Sequence, residues 1–115
     1  MADRKRVQHP DVPEPPAETW SNCLVIGDQI LVAGMTARNG TQVLADDEYG
    51  QARAIFEKIE KLVSAADSSM ADVVKVVIYV TDISRREEVW RARREFFSGD
   101  FPVSTLVEVS ALAMP

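Results

Sequence analysis

The sequence holds a single cysteine and a single histidine in 115 residues. Cys23 on its own cannot close a disulfide within the chain. It lies in the apolar run Cys23-Leu24-Val25-Ile26 with no base or cation beside it, so it reads as a structural thiol rather than a nucleophile. His9 sits far away, between Gln8 and Pro10. One His and one Cys so separated do not make a metal site, and neither a metal nor a cofactor is expected. No apolar run approaches the roughly 20 residues that a membrane-spanning helix needs. The segment Met1–Pro10 is polar and lacks the apolar middle of a signal peptide. A cytoplasmic chain without a membrane partner is the expectation.

Positive charge is also scarce, and the formal net charge is −5. Nucleic-acid affinity draws largely on cationic contacts to phosphates. The two basic clusters are Arg4-Lys5-Arg6 and the series from Arg85-Arg86 to Arg94. The second is interleaved with Glu87, Glu88 and Glu95, which marks a solvated charged face. A nucleic-acid partner is not expected.

What is present is ordinary for one globular domain: 46% hydrophobic and 27% charged residues. Four of the six prolines (Pro10, Pro13, Pro15 and Pro16) fall in residues 1–19, which read as an extended, proline-rich leader ahead of a single domain at 20–115. Trp20 to Ile26 and Ile30 to Met35 are β-rich runs around the tight turn Gly27-Asp28-Gln29. Arg38-Asn39-Gly40-Thr41 is a second turn, leading into a short strand near Thr41 to Leu44.

From Asp46 to Ala66 the apolar residues Tyr49, Ala52, Ile55, Phe56, Ile59, Leu62, Val63 and Ala66 recur at spacings of three and four, which predicts one amphipathic helix. Val73 to Thr81 is nearly all β-branched or aromatic and predicts a strand buried on both faces. Ser84-Arg85-Arg86-Glu87 has capping-box spacing, and the helix after it runs to about Ser98. One side of it carries Val89, Ala92, Arg93, Phe96 and Phe97, and Gly99 follows it as a stop. Val103 to Ala111 is the last strand. The order β-β-β-α-β-α-β predicts an α+β fold with helices on one face of a mixed sheet.

Four stretches then resemble the RidA/YjgF family, small proteins that hydrolyse reactive enamines and imines. Val32-Ala33-Gly34-Met35 is similar to the family's V-S-G-Q, and Gln51-Ala52-Arg53 to its Q-A/T-R. Asp72-Val73-Val74-Lys75-Val76 through Val80-Thr81-Asp82 is similar to D-V-V-K-x-x-V-F-x-T-D. Phe101-Pro102-Val103-Ser104-Thr105-Leu106-Val107-Glu108-Val109 resembles F-P-A-R-S-x-V-E-V. Together they span about residue 16 to 115. The resemblance implies a chorismate-mutase-like fold, a homotrimeric barrel, and small-molecule ligands bound in clefts between subunits. In the family an arginine after F-P pairs with the substrate carboxylate through its planar fork.

The departures cluster at that cleft. Ser104 stands at the arginine position, Trp20 at a tyrosine, Met35 at a glutamine, Trp90 at an asparagine and Leu106 at a cysteine found in some members. Thr105 adjoins Ser104, and these six are the candidate ligand-binding residues. A serine hydroxyl can donate one neutral hydrogen bond but cannot neutralise an anion. The resemblance therefore implies a neutral or aromatic substrate, unless Arg38, Arg91 or Arg93 supplies a relocated cation. The sequence ends at Ala113-Met114-Pro115, ahead of the family's last strand and the glutamate it carries.

Ser104 and Thr105 lack a histidine or lysine base in sequence reach, so no catalytic residue is assigned. Three readings remain. The first is hydrolytic deamination of a small enamine or imine with altered recognition. The second is a trimer that binds a small molecule without chemistry. The third, an endoribonuclease, is opposed by the acidity and by the lack of paired histidines.

Overall fold

The computed structural model describes residues 3–114. Among the described residues seven strands and two helices follow one another as β1 (Arg4–Arg6), β2 (Cys23–Ile26), β3 (Gln29–Val32), β4 (Arg38–Asn39), β5 (Gln42–Val43), α1 (Glu48–Ala65), β6 (Lys75–Val80), α2 (Arg86–Phe96) and β7 (Val103–Glu108). Single 3₁₀ turns at Met70–Asp72 and Ile83–Arg85 precede β6 and α2. The fold is α+β, and the strands of the described residues close no barrel by themselves. Among the described residues no helix is long and apolar enough to cross a membrane.

The strands form three ladders. β1, β2 and β3 make an antiparallel sheet, β4 and β5 a short hairpin, and β6 and β7 a parallel pair. Gly27 turns the β2–β3 hairpin with a φ of 61°, a left-handed conformation that costs glycine little. The parallel pair runs from Lys75 opposite Val103 to Val80 opposite Glu108. Parallel neighbours require a crossover between them, and α2 is that crossover.

Asp47 starts α1 by accepting the Gly50 N–H at 2.8 Å. Gly50 has little alternative, because a Cβ there would lie 2.7 Å from the Ala45 Cβ. The expected apolar stripe of α1 is the core: Ala52, Phe56 and Val63 pack with Val89, Ala92 and Phe97. Ile78, Val80 and Leu106 close this cluster from the parallel pair. A second cluster gathers Leu62 and Cys23 with Val7 and Val12 of the proline-rich segment. Burial raises the Cys23 thiol pKa, which suits a structural thiol.

Three details depart from the expectations. The capping-box spacing at Ser84 is not used: Asp82 accepts the Ser84 N–H and hydroxyl, and α2 begins two residues after Ser84 with no side-chain cap of its own. Its carboxylate pKa is lowered by these bonds. Strand β6 is not covered on both sides. It alternates half-buried Val76, Ile78 and Val80 with exposed Lys75, Val77 and Tyr79, because both helices lie on one face. Finally, the leader supplies β1, which pairs with β2 from Arg4 opposite Ile26 to Arg6 opposite Leu24. Buried Asn22 ties the same segment down, donating to the Pro13 carbonyl at 2.9 Å.

Candidate functional site

The side chains of β7 alternate across the sheet. Ser104, Leu106 and Glu108 turn towards α2 and the 3₁₀ turn before it. Ser104 meets Arg93, Leu106 joins the core beside α2, and Glu108 accepts the Ile83 N–H at 3.0 Å. Residues 86, 90 and 93 are spaced by four and three, so they share one face of α2. Where that face leaves the sheet, a cleft of about 430 Å³ opens, lined by Ile83, Arg86, Trp90, Arg93, Ser104 and Leu106.

Of the six expected ligand-binding residues, this cleft brings together Trp90, Ser104 and Leu106. Thr105 is exposed, and it alternates onto the opposite face of β7. Met35 is half-buried against the Cys23–Leu62 cluster. Trp20 is 54% exposed, and its indole N–H donates to Asn22 Oδ1 at 3.3 Å, away from the cleft. Sequence reasoning missed Ile83 and Arg86. The signal for Arg86 was present, since it stands one helical turn before Trp90.

The three arginines named as relocated cations separate clearly. Arg91 stacks on the Tyr49 ring with its guanidinium carbon 3.6 Å from the centroid, and pairs with Glu88 at 2.7 Å. Arg38 lies in the β4–β5 hairpin, where its carbonyl accepts from Lys58. Arg93 reaches the strand: its Nη1 donates to Ser104 Oγ at 2.8 Å. The guanidinium carbons of Arg86 and Arg93 lie 5.9 and 5.8 Å from the Trp90 ring centroid. Cations within about 6 Å of an indole face are attracted by its quadrupole. The cleft thus has an apolar floor, one aromatic wall, one hydroxyl and two guanidinium groups. Its lining holds no carboxylate, imidazole or amine.

A second depression, of about 460 Å³, is lined by Gln8, His9, Pro10, Val12, Pro13 and Glu14. One continuous turn of chain makes it, and none of the expected site residues borders it. The convergence of three elements on the α2–β7 cleft makes that cleft the candidate site.

The profile of the family described as Endoribonuclease L-PSP matches residues 12–115. The chain belongs to this family, the RidA/YjgF family. A crystal structure of a protein of unknown function from Pseudomonas aeruginosa is 37% identical and superposes with a TM-score of 0.92, over all of this chain and 86% of that one. A Mycobacterium tuberculosis protein described as a member of the YjgF/YER057c/UK114 family is 32% identical with a TM-score of 0.80, covering 98% of this chain and 90% of that one. Among curated family members, a 2-iminobutanoate/2-iminopropanoate deaminase of Dermatophagoides farinae is 24% identical over 97% of this chain and 88% of its own length. The parallel β6–β7 pair and its α2 crossover therefore belong to a fold that RidA/YjgF members share.

Proposed function

We propose that this protein is a hydrolytic deaminase of a small reactive enamine or imine, with substrate recognition altered from the family pattern. The observation that supports this most is the α2–β7 cleft, where Trp90, Ser104 and Leu106 meet at the position the resemblance assigns to ligand. The chemistry asks little of the protein. An enamine tautomerises to its imine, water adds to the C=N carbon, and the carbinolamine expels ammonia to leave a carbonyl. Holding the imine and one water in register supplies the orientation that such a step needs.

The exposed face of the parallel pair supports a homotrimer as the working form. Val77, Tyr79, Val103 and Val107 are 43%, 58%, 68% and 37% exposed. A contiguous apolar face of this kind marks an interaction surface. In such an assembly Thr105 faces a neighbouring subunit, and the ligand cleft lies beside the subunit boundary. The protein works in the cytoplasm in this reading, without a membrane or nucleic-acid partner.

A second reading, a trimer that binds a small molecule without turning it over, is favoured by one feature. The cleft lining offers no titratable base at neutral pH. Ammonia release from imines generated in place by an amino-acid oxidase separates the two readings. Hydrolysis above the uncatalysed rate supports the deaminase, and ligand binding with ammonia release no faster than that rate supports the second reading.

A further inference from the structure

Arg93 occupies an unusual position for an arginine. It lies on the inner side of α2, in line with buried Val89 and Ala92, and its Nε is buried without a hydrogen-bond partner. Its Nη1 is held by the Ser104 hydroxyl at 2.8 Å. Arg86, on the same helix face, is held by its own Nη1 donating to the Ile83 carbonyl at 3.2 Å. Among the described residues, no carboxylate lies within ion-pairing distance of either guanidinium, although the chain carries 18 acidic residues against 13 basic ones. Nearby arginines are neutralised: Arg53 pairs with Glu57 and Glu95, Arg85 with Glu48, and Arg91 with Glu88. Arg86 and Arg93 are thus unpaired arginines, among the described residues, that line the cleft.

Arg93, half-buried with its Nε shut off from water, costs free energy as an uncompensated cation while the cleft is empty, and the exposed Arg86 adds positive charge beside the same indole. A bound anion removes that cost. A guanidinium fork matches a carboxylate in plane and spacing, and the Trp90 ring suits a flat, unsaturated neighbour of the carboxylate. We infer that Arg93 and Arg86 of α2 form the anion anchor of this cleft, taking the carboxylate of a small planar acid, with Ser104 as the residue that positions Arg93. Carboxylate recognition has then moved from the strand to the helix that crosses over it. This inference rests on the hydrolase reading only for the identity of the acid as a substrate; the anion site stands or falls by itself.

Crotonate and crotonamide are suitable probes, because they are small, planar, stable and nearly isosteric, and the amide carries no negative charge. Titration calorimetry on the wild-type protein is expected to show crotonate binding at least tenfold tighter than crotonamide. Arg93→Met should weaken crotonate by about tenfold to a hundredfold, the range for one lost charge-assisted hydrogen-bonded pair, and leave crotonamide unchanged. Arg86→Met should weaken it less. Ser104→Ala should weaken crotonate severalfold, and Ser104→Thr should restore it, which loss of mere packing would not produce. Should Arg93→Met fail to fold, Arg93→Lys keeps the charge without the fork and is expected to bind crotonate several-fold more weakly. Equal affinities for the two probes, no binding of crotonate, or an Arg93 series without effect overturns the proposal. Crotonate binding that follows Arg93, with ammonia release from every imine no faster than the uncatalysed rate, retains the anion site and removes the hydrolase reading. Imine hydrolysis indifferent to Arg93 and to substrate charge does the reverse.

Discussion

Tyr49 on α1 and Glu95 on α2 join the two helices through one hydroxyl, which lies 2.6 Å from each carboxylate oxygen of Glu95. Arg53 adds a bond of 3.1 Å to the same carboxylate. The Tyr49 hydrogen bond lowers the Glu95 pKa, burial opposes it, and Arg53 adds to the lowering. A carboxyl group with a depressed folded-state pKa contributes stability above its unfolded value and loses it as the pH falls through the folded value. The melting temperature should therefore be level near neutral pH and fall on acidification below about pH 5. In Glu95→Gln that acid-side fall should be shallower, and the neutral-pH value lower. Thermal melts of both proteins from pH 7 to pH 3 check this; parallel profiles would show that Glu95 is not among the groups responsible.

Phe56 carries the helix–helix contact. It is 4% exposed and its ring meets Phe96 at 5.4 Å and Phe97 edge-on at 5.7 Å. Truncating a buried phenylalanine to alanine costs about 3–5 kcal/mol. Phe56→Ala should lower the midpoint of chemical denaturation by a corresponding amount or prevent folding. An unchanged midpoint would place the core elsewhere than on the α1 stripe.

The open face of the β6–β7 pair gives the third prediction. Light scattering coupled to size exclusion should return three times the chain mass of 12.8 kDa. Val77→Glu places a charge at the centre of that face and should shift the protein to monomer while α1 and α2 remain folded by circular dichroism. A wild-type monomer at micromolar concentration would remove the proposed assembly.

The parts of this fold that were legible in the sequence are those whose signal is local. The α1 stripe through Phe56, Leu62 and Val63, and the inner side of α2 through Val89 and Ala92, follow from spacing alone. Strand β1 was not legible, because Arg4-Lys5-Arg6 has no β-forming side chains; backbone pairing to the edge of β2 makes it a strand, and charge suits an edge. The β6 run is uniformly β-branched, so its composition hid the alternation that leaves Val77 and Tyr79 uncovered. At the cleft, Trp90, Ser104 and Leu106 came from the family resemblance, and the arginine on the inner side of α2 came from periodicity. That Arg93 reaches Ser104 depends on the register between helix and strand across the 97–102 connection. No local pattern encodes that register.

The measurement closest to the central claim is the rate of carbonyl and ammonia formation from a small imine generated in place, with and without the protein. The account predicts a rate that rises in proportion to protein concentration and drops at least tenfold in Trp90→Ala, whose ring forms one wall of the cleft. A rate equal to the uncatalysed one at every protein concentration, for charged and neutral imines alike, would contradict it.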